Sequence, residues 1–426
     1  MTDSLAIQGG TPLRQEPFPE WPIFGDLERE GLMRALESGH WGGEGPIEAE
    51  FSQQFASFCG ARHAICVANG SITLELILKA LGIGPGDEVI VPALTWLATA
   101  WAPLQVGATP VFADISVDDW CIDPVDVRKK ITSRTKAIIP VHLYSQIAPM
   151  TQLLEIARDH RLHLIEDCAH THGSEWEGQP VGAIGDAGSF SFQSSKGMTA
   201  GEGGAVVTNS DHLADLIFGL KNCGRRRIPD SPATFGSNNR MTEFQSAVLI
   251  GQLQRLPSLM ETRAENISYL RQALRTIDGV KVLEPKKEVT RQGMYCLSVA
   301  VDDRAFGGMP RDLMVDTLQA EGIPVTPPYD VVYRSMLWKP SEKLWKFAAD
   351  KNPRVELGLD AHCPVSERVS LHTGLAFNHR MFLGTKKDMD DIVDAFLKVQ
   401  KHAGDMRWKS LNKKFRLATR KVLGKI

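Results

Sequence analysis

No stretch of the 426 residues is apolar for long enough to cross a bilayer as a helix, which takes ~18–20 consecutive apolar residues. The opening MTDSLAIQGGTPLRQ has neither the basic start nor the apolar stretch of a secretion signal, so a cytoplasmic protein is expected. The seven cysteines (Cys59, Cys66, Cys121, Cys168, Cys223, Cys296, Cys363) are scattered, odd in number and form no CxxC. Reduced packing thiols are expected, not a disulfide framework. Among twelve histidines the only metal-like spacings are His160/His163 and His170/His172, and neither has a second ligand cluster, so no metal is expected. The formal net charge of −3 argues against nucleic acid as the main partner. Internal repeats and low-complexity segments are absent.

What is present is a globular composition, 43% hydrophobic and 23% charged, in a chain long enough for two or three structural units. Short apolar runs recur at HAICV (63–67), EVIV (88–91), PVFAD (110–114), AIIPV (137–141), LHLIED (162–167), GSFSF (188–192) and GAVVT (204–208). Helical patterns such as SITLELILKAL (71–81) and MTQLLEIARDH (150–160) fill the gaps between the first five. Apolar strands alternating with helices predict an α/β fold with a seven-stranded, mainly parallel sheet covered on both faces. The last two strands are joined by a glycine-rich segment in place of a helix. Residues 242–274 read as one long helix with a kink near Pro257, leading to a smaller α+β unit with strands GVKVLEP and YCLSVAV. The expected division is an N-terminal arm (1–25), a large α/β domain (26–255), a small C-terminal α+β domain (256–403) and a tail (404–426).

The tail differs from the rest. From Met406 it holds eight cations and no acid, leaving 40 basic against 51 acidic residues elsewhere, and Trp408, Leu411, Phe415, Val422 and Ile426 fall at helical spacing. A basic amphipathic helix can lie on an anionic membrane surface or dock on an acidic partner; a solvated end with no role is the plain alternative.

Four short stretches carry chemistry. In ANGSIT (68–73), a glycine turn leads into a helix, so backbone N–H groups and the helix dipole could cradle an anion. GIGPG (82–86) follows a helix and precedes a strand, the reverse of the dinucleotide fingerprint. LIEDCAHTHGS (164–174) ends an apolar strand in two acids at the edge where open α/β sheets bind ligands. Asp167, if buried there, needs a cationic or hydrogen-bonding partner, either a structural salt bridge or a protonated ring nitrogen. Lys196 lies in SFSFQSSKGMTAGEGG (189–204), with no carboxylate before Glu202; a desolvated lysine amine becomes nucleophilic toward carbonyls. Ser191, Ser194, Ser195 and Thr199 add hydroxyls suited to a phosphate. Trp96, after the strand EVIVP, offers an aromatic face for a flat ring. Each has a bland reading as surface or core. Together, an anion cradle, an aromatic face, an acid and a lysine are what pyridoxal 5′-phosphate requires.

The motifs GIGPGDEVIVPALTW, RTKAIIPVHLY, LIEDCAHTHGS, SFSFQSSKGMTAGEGGAVVTN and GSNNRMTEFQSAVLIGQL resemble, in order and spacing over about residues 20 to 400, the DegT-type (DegT/StrS) family of sugar and aminocyclitol aminotransferases. The resemblance implies the aspartate-aminotransferase-like fold (pyridoxal-phosphate fold type I) and an internal aldimine on Lys196. It implies that Asp167 pairs with the pyridine nitrogen, that His170 contacts the ring and that Trp96 stacks on it. The backbone N–H groups of Gly70, Ser71 and Ile72, with Ser191, would hold the phosphate. Asn238 would reach the phosphate of a neighbouring subunit, implying a homodimer with shared active sites. Where the family reads SGT, this chain has Asn69 before the glycine, which puts that contact in question. LTWLATAWAPLQVGATPVF, DDWCIDP, PPY (327–329) and CPVSER (363–368) look most like the branch that aminates scyllo-inosose or its 2-deoxy form, with glutamine or glutamate as amino donor. A nucleotide-linked keto-sugar aminotransferase and a 3-amino-5-hydroxybenzoate synthase-like enzyme are the alternatives, and a non-catalytic binding protein is the rival from another class. His142 and Tyr329 are candidate substrate contacts.

Overall fold

The computed structural model describes residues 4–228, 234–339 and 361–403; the basic tail lies outside them. The chain begins with α1 (Asp26–Glu37) and α2 (Pro46–Phe58), then alternates β1 (His63–Val67), α3 (Gly70–Ala80), β2 (Glu88–Pro92), α4 (Ala98–Gln105), β3 (Thr109–Ala113), α5 (Pro124–Lys130), β4 (Thr135–Ile138), α6 (Met150–His160) and β5 (His163–Asp167). A ribbon of β6 (Glu175–Trp176) and β7 (Gln179–Pro180) precedes β8 (Ala187–Ser191), β9 (Gly204–Thr208), α7 (Asp211–Lys221) and α8 (Glu243–Leu274). Seven strands form one sheet in the order β1-β9-β8-β5-β4-β2-β3. Only β9 runs against its neighbours, since it pairs antiparallel with both β1 and β8 while the other pairings are parallel.

The reversal at β9 follows from its connection. A parallel partner is usually reached through a crossover helix, and the twelve-residue β8–β9 link holds no helix. Gly201 takes φ +80°, a left-handed turn that favours glycine, and Phe192 N–H closes the loop on Gly203 O at 2.8 Å. Each strand feeds both faces, as alternation requires. Ile90, Leu164 and Phe190 pack with Phe51 and Phe55 of α2 and Leu249 of α8. Val89, Val91 and Ile165 pack with Leu74 and Ile77 of α3 and Ile217 of α7. That two-sided burial is why these strands read as near-continuous apolar runs.

α8 is continuous over 32 residues with Pro257 inside it, and Thr242 with Gln245 forms a capping box at its start. Its C-terminal half packs through Ile267, Leu270 and Leu274 into a second core. That core includes the sheet of β10 (Val280–Val282), β12 (Cys296–Val301), β13 (Val325–Thr326) and β14 (Gly374–Asn378), in the order β10-β12-β14-β13, and α9 (Arg311–Ala320). β11 (Val289–Arg291) joins the β6–β7 ribbon. A smaller apolar seam, including Leu94, Val141, Tyr144, Tyr295 and Cys296, bridges the two main sheets. No helix among the described residues is long and apolar enough to cross a membrane.

Candidate active site

The C-terminal ends of β2, β5 and β8 open onto a cavity of about 650 Å³, lined by Gly70, Ser71, Trp96, Asp167, His170, Ser191, Lys196, Tyr295 and Tyr329 among others. Asp167 is the last residue of β5 and buried. Its Oδ2 accepts from Thr99 Oγ1 at 2.9 Å and its Oδ1 from the Ala169 N–H at 3.2 Å. No cation forms an ion pair with it among the described residues. Burial pushes its carboxyl pKa up, against the Ala169 and Thr99 hydrogen bonds and the charge of Lys196. A neighbouring cation would restore the ionised form.

Strand alternation sends the preceding acid the other way. Glu166 Oε1 accepts from the N–H groups of Ile184 and Gly185, and Oε2 from Gly182 N–H and His142 Nε2. His142 is fully buried, and its Nδ1 accepts from Ala148 N–H at 3.1 Å. It therefore has no surface on the cavity, and the expected substrate contact is replaced by a hydrogen bond behind the wall. His142, Glu166 and Cys168 bring three ligand-type atoms within 4.8 Å of one another. The carboxylate is already satisfied by four donors, and burial holds the Cys168 thiol far above its usual range. This cluster is built as protein core.

Lys196 follows a tight turn in which its N–H donates to Gln193 O at 2.9 Å. Its side chain is half-buried and reaches the cavity, with Nζ 4.9 Å from the centre of the Tyr295 ring. Burial pushes its pKa down to about 8, while the charge of Asp167 pulls the other way. Near pH 8 roughly half the amine is therefore neutral. The other loop hydroxyls are spent locally: Thr199 Oγ1 donates to Phe192 O, Ser195 Oγ donates to Gln193 Oε1, and Ser194 Oγ accepts from Gln193 Nε2.

At the start of α3, Asn69 is the N-cap, and its Oδ1 accepts from Ile72 N–H at 3.0 Å. Such a cap is worth about 1 kcal/mol. It answers the departure from SGT, because the asparagine takes the Ile72 N–H and leaves the Gly70 and Ser71 amides at the turn. Gly70 is required by close approach: a Cβ there would lie 2.5 Å from Ser191 Cβ. Trp96 is half exposed at the mouth, 5.6 Å from the Tyr329 ring. Asn238 is exposed and does not line the cavity; its backbone bridges to Asn222.

Thr99, Tyr295, Gln193 and Glu202 had no assigned role from sequence. The scarcity of tyrosine was a usable signal: of five in the chain, Tyr144, Tyr295 and Tyr329 meet around His170. His170 is buried and held neutral, its pKa driven well down by burial and by Lys196.

This sheet order, with a lysine and a buried acid at the strand ends, is that of the aminotransferases of pyridoxal-phosphate fold type I. The chain belongs to the DegT/DnrJ/EryC1/StrS aminotransferase family, whose sequence model matches residues 23–352. A relative from Streptoalloteichus tenebrarius, provisionally named L-glutamine:3-amino-2,3-dideoxy-scyllo-inosose aminotransferase, is 41% identical over 416 residues, covering 96% of this chain and 100% of its own. L-glutamine:2-deoxy-scyllo-inosose aminotransferase of the same organism is 37% identical, covering 95% and 99%. The crystal structure of 3-amino-5-hydroxybenzoic acid synthase superposes with a TM-score of 0.80 at 33% identity, covering 91% of this chain and 99% of its own. DesI, solved in the presence of its TDP-sugar product, gives 0.79 at 31%, covering 97% and 99%.

Proposed function

We propose that this aminotransferase moves the amino group of L-glutamine to a keto-cyclitol of the inosose class, with pyridoxal 5′-phosphate held through Lys196. The cavity lining carries the acceptor reading: among the described residues that line it, Lys196 is the sole lysine or arginine. A nucleoside diphosphate would bring phosphate charges that call for further cations or N–H donors. A ring of hydroxyls calls for neutral donors and aromatic faces, which Gln193, Tyr329 and Trp96 supply. Two relatives named for glutamine and inososes, similar over nearly the whole chain, support the same choice.

The donor set fits the cofactor. The Gly70 and Ser71 amides and the Ser191 hydroxyl make a cradle for phosphate that a side chain at position 70 would fill. Asp167, buried with two neutral donors, suits a protonated ring nitrogen. Bound there, pyridoxal phosphate supplies an electron sink that makes the donor's Cα–H acidic. Lys196 Nζ, when free, would be the base that takes that proton and the acid that gives it back. Thr99 and the Ala169 N–H hold the Asp167 carboxylate in one orientation. Trp96 covers the open face, and neutral His170 presents its ring without adding charge.

A homodimer belongs to this reading. Asn238 is exposed away from its own cavity, free to serve a second copy. Phe24, Leu27, Met33, Leu36 and Trp41, in and beside α1, leave an apolar surface for that copy. The basic tail is read as an address, dispensable for chemistry in a chain ending at residue 405.

The acceptor is tested by steady-state kinetics with glutamine as donor. Turnover of 2-deoxy-scyllo-inosose or scyllo-inosose with saturation is expected, and no turnover of a nucleoside-diphosphate keto-sugar. Saturation by the nucleotide sugar alone would replace the acceptor class while leaving the Lys196 chemistry intact.

A further inference from the structure

The polar groups around His170 can be assigned proton by proton. Tyr144 N–H donates to His170 Nδ1 at 3.3 Å, so the ring proton of this neutral histidine sits on Nε2. Nε2–H then donates to the Tyr329 hydroxyl, also at 3.3 Å. At the far end, Gln193 Oε1 receives both the Ser195 N–H at 2.8 Å and the Ser195 hydroxyl at 2.7 Å, so it must be the amide oxygen. Ser195 has then used its one proton, and in its 3.2 Å contact with Tyr295 the tyrosine donates. Two short chains result: one from the Tyr144 amide through His170 to Tyr329, the other from Tyr295 through Ser195 to Gln193, three residues before Lys196.

Tyr295 stands between the two. Its ring stacks on His170 with centroids 4.0 Å apart and planes 17° apart, and the Lys196 amine lies 4.9 Å from the ring centre. Its backbone is fixed as well, because Ser145 Oγ accepts the Tyr295 N–H at 2.6 Å and the Cys296 N–H at 3.1 Å. Tyr144 and Ser145 take φ of 49° and 71°, a left-handed conformation that costs energy in residues other than glycine. The strained pair delivers both the amide that sets the His170 proton and the hydroxyl that holds Tyr295.

We infer that Tyr295 is a positioning residue for Lys196: its ring, stacked on His170, carries the lysine amine, and its hydroxyl holds the lysine's loop through Ser195 and Gln193. The inference rests on Lys196 being the reacting amine. The expected cost of cutting the chain is about three- to tenfold in rate, the net worth of one hydrogen bond.

Two measurements test this. In single-turnover transfer from glutamine, Tyr295→Phe and Ser195→Ala should each slow the reaction about three- to tenfold. The double variant should be no slower than the worse single, because both cut one chain. Acceptor KM should stay within about twofold, since only the lysine loop is released. In protein freed of cofactor, acetylation of Lys196 followed by mass spectrometry reads the neutral amine directly. Tyr295→Phe keeps the ring and should label at the wild-type rate. Tyr295→Leu removes a face that favours the charged amine, and should label about two- to fivefold faster near neutral pH. Either single variant at wild-type rate, multiplying effects in the double, or unchanged labelling in Tyr295→Leu would overturn the inference. Failure of the Lys196 reading itself looks different: Lys196→Ala would keep the yellow colour of a lysine Schiff base.

Discussion

Lys196→Ala should yield a folded protein that no longer turns yellow with pyridoxal phosphate and transfers amino groups about 10⁴-fold more slowly, the upper range for losing a general acid–base group. The loss is large because one amine has two tasks, attachment and proton transfer, and no other lysine or arginine among the described residues lines the cavity. Folding should not suffer. The amine is half-buried, and its pKa is pushed down to about 8, so the folded state disfavours its charge. The sign is clear: below pH 8 the charged amine costs stability, and the cost fades as the pH rises toward the ordinary lysine value of about 10.4. The alanine variant should therefore melt no lower than the wild type at pH 7 in cofactor-free protein. Unchanged transfer kinetics in this variant would remove lysine from the mechanism.

Asp167→Asn should separate catalysis from stability in the same way. Asparagine keeps the shape and can still accept from Thr99, but it cannot balance a positive ring nitrogen. Turnover should fall about 10²- to 10³-fold, as when one electrostatic partner of a developing charge is removed. Without cofactor, the wild type buries a carboxylate whose pKa is raised by that burial. Ionisation of Asp167 is then a cost to the folded state, absent below the unfolded value of about 3.9, growing above it and complete once the pH passes the raised folded value. The asparagine variant should equal the wild type in melting temperature at pH 4 and exceed it at pH 7. A drop in stability without a drop in turnover would make Asp167 a structural residue.

Local pattern made most of the large sheet legible. HAICV and GAVVT match β1 and β9 residue for residue, and MTQLLEIARDH is α6. The main shortfall was AIIPV: β4 ends at Ile138, because Pro140 has no N–H to donate to a ladder. Asp167 and Glu166 could be read as acids at a strand end, but alternation decides which faces the ligand, and a one-residue shift reverses it. His142 shows the limit of that reasoning. It stands at the same strand edge as the cavity residues, yet its ring turns inward to Glu166, an arrangement that depends on the 182–185 loop. Tyr295 was illegible for a related reason. It stands just before β12 of the small sheet, more than a hundred residues from His170 in sequence, and reaches the cavity only once the two sheets dock along the Leu94–Tyr144–Cys296 seam. Thr99 is one helical turn from Trp96, and nothing local tells its inward side from its outward one.

The account stands most directly on one covalent bond. The purified protein is incubated with pyridoxal phosphate, reduced with borohydride, digested and sequenced by mass spectrometry. The account predicts that the reduced pyridoxyl group is found on Lys196, in the peptide containing FQSSKGM. The group on another lysine, or on none, would contradict it.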